Sequence, residues 1–86
     1  MHTVEVLDRA LTVAESLSYR IRHEWLGGSG GGACEFAGRK WIFVDLALTV
    51  TEQLDQVLEA LRSEPAIHTV SMPAEIRRLL DRKLAA

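Results

Sequence analysis

The chain has 86 residues and 48% hydrophobic content, enough for one folded domain over residues 1–86 and too much for a disordered chain. Its formal net charge of −2 gives no general attraction to nucleic acid or anionic lipid. One cysteine excludes an internal disulfide, and no apolar run approaches the roughly 20 residues of a membrane span. Charges at Glu5, Asp8, Arg9 and Glu15 interrupt any signal-peptide core, so a soluble cytoplasmic setting is the expectation.

Val4 to Leu17 predicts an amphipathic helix. Val4, Val6, Leu7, Ala10, Leu11, Val13, Ala14 and Leu17 fill one half of the cylinder, and the polar residues fill the other. Thr3 is the expected N-cap. The wide apolar half predicts contact with a sheet and a second helix at once.

Tyr19 to Leu46 reads as three strands, and the rest of the chain as helices laid against them. Tyr19, Ile21, His23 and Trp25 alternate with Arg20, Arg22 and Glu24. Gly38-Arg39 suits a two-residue type II′ turn, which sets Phe36 opposite Trp41 and Cys34 opposite Phe43. If Gly27 pairs with Gly32, an antiparallel meander follows, with Trp25 opposite Cys34 and His23 opposite Phe36. All five aromatic residues (Tyr19, Trp25, Phe36, Trp41, Phe43) then share one face, the expected seat of the helices. The third strand is apolar on both sides and is expected to be the most buried. The first carries one charged side and is expected at an edge.

Thr49-Val50-Thr51-Glu52 matches a capping box, opening a helix that runs to about Arg62. Val50, Leu54, Val57, Leu58 and Leu61 form its stripe, and Ser63-Glu64-Pro65 stops it. Ile67 to Val70 reads as a short fourth strand, parallel to the third, or as an extended connector. Met72-Pro73 opens a last helix with Ile76, Leu79, Leu80 and Leu84 on one side; Arg77, Arg78, Arg82 and Lys83 gather toward its end. The expected architecture is α+β, ordered α-β-β-β-α-(β)-α, with a three-stranded antiparallel meander packed against helices.

Four features invite a chemical reading. Gly28-Ser29-Gly30-Gly31-Gly32-Ala33 matches a dinucleotide fingerprint literally, but a strand follows where the phosphate site needs a helix N-terminus. A mobile hairpin tip is the plainer reading of Gly30 and its neighbours. Cys34 and His23 are expected on one face, where thiol and imidazole form a nucleophile pair or half a metal site. A buried thiol and a core histidine are the plainer reading, and neither a second cysteine nor paired histidine spacing supports a metal. Trp41 and Trp25 belong to a face that resembles a stacking platform for single strands; the acidic balance favours core instead. The basic end of the last helix suits a helix C-terminus.

From Leu17 to Leu61 the chain resembles a family of small bacterial proteins of unknown function. The resemblance rests on Gly27, Gly28, Gly30, Gly31, Gly32, Cys34, Gly38, Asp45 and Glu52-Gln53-Leu54. It implies a self-contained natural domain and no particular activity, substrate or cofactor. The leading expectation is a non-enzymatic interaction domain forming a homodimer, with no cofactor and no metal. The alternatives are a small-ligand or thiol site formed by His23, Trp25, Gly30 and Cys34, and a nucleic-acid platform around Trp41.

Overall fold

The computed structural model describes residues 2–28 and 30–85, with side chains as far as Arg82. Helix α1 spans Thr3–Ser16 and buries Val6, Leu7, Ala10, Val13 and Ala14, a three- and four-residue spacing that lays one stripe on the core. His2 rather than Thr3 holds the N-cap position, without a side-chain capping bond. As expected, α1 touches both strand β1 and helix α2.

The strands are β1 (Tyr19–Glu24), β2 (Gly32–Phe36) and β3 (Arg39–Asp45). Their order is β1-β3-β2, with β1 parallel to β3 and β2 antiparallel to it. This corrects the antiparallel meander. The chain leaving β1 does not turn back onto β2; Leu26 and Gly28 bond instead to Asp45 at the end of β3. The physical reason lies in β3, which carries Ile42 and Val44 on one face and Trp41 and Phe43 on the other. Placing the strand with two apolar faces at the centre gives each face a neighbour on both sides.

The turn also falls one residue early. Ala37 (φ 54°) and Gly38 (φ 77°) both adopt left-handed backbone, the signature of a type I′ turn. Holding Ala37 there costs about 1 kcal/mol. Phe36 therefore pairs with Arg39 and Cys34 with Trp41, a slip of two residues from the expected register. A two-residue slip preserves faces, so Cys34, Phe36, Trp41 and Phe43 do share one side.

Tyr19 does not join them. Parallel pairing sets Tyr19, Ile21 and His23 beside Lys40, Ile42 and Val44, and sets Arg20 and Arg22 beside Trp41 and Phe43. The helices cover the Ile42–Val44 face, where both residues are fully buried. The aromatic face, expected to form the core, is the one left uncovered.

Helix α2 (Val50–Arg62) opens on the expected capping box: the Glu52 amide donates to Thr49 Oγ1 at 3.2 Å, and the Thr49 amide to Glu52 Oε1 at 2.9 Å. Leu54, Val57, Leu58 and Leu61 face the core. Ile67 to Val70 is no strand, since Pro65–Thr69 forms a 3₁₀ helix. Pro65 presets its first turn, and the Glu64 carboxylate accepts from the Ala66 amide at 3.0 Å. Ile67 is thereby turned into the core. Helix α3 (Ala74–Ala85) buries Ile76 and Leu80, and Arg62 ties α2 to it by donating to the carbonyls of Leu79 (2.9 Å) and Leu80 (3.1 Å). The side chains of Lys83 and Leu84 lie outside the described residues.

Leu61→Ala is expected to destabilise the protein by about 2–5 kcal/mol in urea unfolding, because Leu61 is fully buried between helices and sheet. Trp25→Ala should stay within about 0.5 kcal/mol, since Trp25 is 74% exposed.

Candidate functional site

Two places combine polar chemistry with the unusual sequence features: the glycine-rich crossing loop and the uncovered sheet face. The loop is held from below by Asp45, the last residue of β3. Asp45 Oδ1 accepts from the amides of Leu26 and Ala47, each at 2.9 Å, and Oδ2 accepts from the Gly28 amide at 2.7 Å. Gln56 of α2 braces the loop from the helix side. Its Oε1 accepts from the Asp45 amide at 3.3 Å, and its Nε2 donates to the Gly30 carbonyl at 3.1 Å.

Gly31 passes between these groups at φ +97°, and a Cβ there would stand 2.7 Å from Gln56 Nε2 and 2.9 Å from the Phe43 carbonyl oxygen. Glycine is therefore required by close approach as well as by backbone geometry. The loop is not a hairpin tip, since β1 and β2 are not paired. Its amides at Leu26 and Gly28 already serve a carboxylate, and that carboxylate places a negative charge where a phosphate would sit. Ser29 lies outside the described residues.

Asp45 is fully buried. Burial pushes its carboxyl upward, but the amides of Leu26, Ala47 and Gly28 favour the ionised form and together hold it below the ordinary range. In the sequence Asp45 stands out only through the resemblance, which gives it no role. An acid closing a strand apolar on both faces was the available signal, since such a group must find donors to be buried.

His23 and Cys34 are not a pair. His23 lies beside Val44 on the side of the helices, Cys34 beside Trp41 on the uncovered side, and β3 runs between their strands. Cys34 is an exposed free thiol, not the small buried one expected, and His23 is exposed rather than core. Among the described residues no cluster of three His, Cys, Asp or Glu side chains could hold a metal ion.

On the side of Tyr19, Glu64 Oε1 accepts from Lys40 Nζ at 2.9 Å and from the Tyr19 hydroxyl at 3.2 Å. Lys40 Nζ also stands 4.6 Å from the Tyr19 ring centroid. The Lys40 bond, helped by the Ala66 amide, draws the Glu64 carboxyl down; burial and the Glu64 charge push the Tyr19 hydroxyl up. This network fastens the 3₁₀ segment to the strands, and its groups are mutually engaged.

The uncovered face is the stronger candidate. The Trp41 and Phe43 rings are parallel within 5°, with centroids 6.0 Å apart. The Arg20 guanidinium lies 5.8 Å from the centre of the Trp41 ring. Arg22 pairs with Glu24 along the β1 margin. On the β2 margin stand Cys34 and Phe36, with Phe36 70% exposed. The indole N–H of Trp41 is buried and finds no acceptor among the described residues. Of the expected site residues, Cys34 and Trp41 come together as cross-strand neighbours. His23 faces the other way, Gly30 belongs to the clasp, and Trp25 stands exposed beyond the end of β1. Arg20, Phe36 and Phe43 join the site instead. Arg20 was hidden because its face depends on which strand β1 pairs with.

Asp45→Asn replaces an acceptor oxygen with an amide donor that meets an N–H, so it should lower the melting temperature more than Gln56→Ala does. The Asp45 contribution is present in full above its unfolded pKa and is lost as pH falls through the depressed folded value. Thermal melts in acid should therefore show the native protein approaching the Asp45→Asn variant. Gly31→Ala is expected to cost about 1–3 kcal/mol, from left-handed strain and the approach to the Phe43 carbonyl.

No protein-family model, curated protein or solved structure matches this chain.

Proposed function

We propose that the protein is a non-enzymatic interaction domain that associates with a second copy of itself. The carrying observation is the one-sided sheet: helices cover the Ile42–Val44 face, while the half-buried Trp41 and Phe43 and the 70% exposed Phe36 line the opposite face, which no helix covers. An uncovered apolar patch of this kind marks an interaction surface, and a small chain gains core by pairing. The positions of the titratable groups support the non-enzymatic reading. Cys34 and His23 lie apart, Asp45 is engaged by three backbone amides, and Glu64 is held by Lys40 and Tyr19. No helix among the described residues is long and apolar enough to cross a membrane.

Sedimentation velocity at high micromolar concentration should show a dimer. Phe36→Ser should weaken it by about tenfold, the effect of withdrawing roughly half a buried aromatic side chain from the contact. A strict monomer at that concentration would overturn the reading.

The Arg20–Trp41 stack favours one second reading, single-stranded nucleic acid lying across Trp41 and Phe43. Titration with mixed oligonucleotides at low salt tests it. Quenching of tryptophan fluorescence that disappears in Trp41→Ala supports it, and unchanged fluorescence removes it.

A further inference from the structure

We infer that the second copy docks edge to edge, with β2 pairing antiparallel to its own counterpart about Cys34. The two three-stranded sheets then join into one six-stranded sheet, with β2 and its counterpart at the centre. This rests on the self-association reading and places the contact at the β2 edge, with Phe36 the part of the aromatic face that enters it.

The free hydrogen-bonding groups of β2 select this register. A two-residue turn is closed by a pair that exchanges both backbone hydrogen bonds, here Phe36 with Arg39. Alternation makes Cys34–Trp41 a pair of the same kind. Ala33 and Glu35 therefore direct their N–H and C=O groups away from β3. No other element among the described residues bonds to those groups. An antiparallel copy must set outward-facing residues against outward-facing residues. Centring on Glu35 opposes two carboxylates. Centring on Ala33 leaves Glu35 to meet Gly31 of the copy, which is held in the clasp. Centring on Cys34 sets Ala33 against the copy's Glu35 and the reverse, using all the free groups of both strands in about four hydrogen bonds.

Side chains agree with that choice. Phe36 falls opposite the copy's Gly32, where an added Cβ would meet nothing within 4 Å. The ring can lie over that bare backbone and reach the copy's Phe43, the register neighbour of Gly32. The most exposed apolar group of β2 is thus covered by the pairing itself. The other sheet edge is unsuited to the same contact. Strand β1 projects Arg20, Arg22 and Glu24, a charged margin that discourages pairing, whereas β2 carries one charge and no proline or bulge.

Cys34 reports the register. It faces its counterpart in a non-hydrogen-bonded pair with Cα atoms about 4.5 Å apart, inside the range a disulfide spans. Oxidation of the native protein with a copper–phenanthroline reagent should form the Cys34–Cys34 bond. Each bond forms from two thiols, which release two protons and pass two electrons to the reagent. Near-complete covalent dimer on non-reducing gels is expected, with the sedimentation of the dimer unchanged. Glu35→Pro removes the outward N–H and spares the bonds to β3. It should weaken dimerisation by about tenfold or more, with the far-ultraviolet circular dichroism of the folded chain retained. A native dimer that does not cross-link through Cys34 overturns the edge pairing while leaving self-association standing. So does a folded Glu35→Pro variant that dimerises undiminished. A monomeric native protein overturns both. If Glu35→Pro does not fold, the cross-link in the native protein decides.

Discussion

A single buried carboxylate fastens the connection between the strands. Asp45 closes β3, is fully buried, and takes hydrogen bonds from Leu26, Gly28 and Ala47. Two of those donors lie on the chain leaving β1, and one on the chain leaving β3. The carboxylate thus fastens the crossing loop to the strand it crosses. A buried charge is tolerated only where donors replace its water. Here the donors are backbone amides that would themselves need acceptors. Acid and loop satisfy each other, which lets β1 pass to the far edge of β3 rather than fold back on β2.

That crossing decides which face the helices cover. With β1 parallel to β3, Ile21 comes beside Ile42, and His23 beside Val44. The leucines and valines of α1 and α2 press on that aliphatic side, together with Ile67 and Ile76. Trp41, Phe43 and Phe36 are left on the other side with Arg20 beside them. The arrangement divides the sheet into a face that the helices cover and a face that they do not. Gln56 belongs to the first, since it links α2 to both Asp45 and Gly30. Cys34 and Phe36 belong to the second, on the strand at the open edge.

Local features were legible wherever the physics is local. The stripe of α1, the Thr49–Glu52 capping box and the stop before Pro65 each involve residues within a turn of one another, and each stands as read except at Val4, which the first turn of α1 leaves 55% exposed. Within the hairpin, the faces of Cys34, Phe36, Trp41 and Phe43 survived a two-residue change of register because side chains alternate with period two. Ile67 to Val70 was less legible. Its β-branched residues fit a strand, but Pro65 and the Glu64 carboxylate start a helical turn first.

From the sequence alone came the helices, the three strands, the α+β class and the apolar character of β3 on both sides, because propensity and periodicity depend on near neighbours. Only the tertiary structure decided that β1 runs parallel to β3, that the sheet is mixed, and that the helices cover the aliphatic face and not the aromatic one. Alternation in β1 divides its residues into two sets but does not say which set meets the core. That choice depends on the strand it pairs with, and the pairing depends on a loop whose path is held by Asp45, Gln56 and the space at Gly31, groups brought together only by folding.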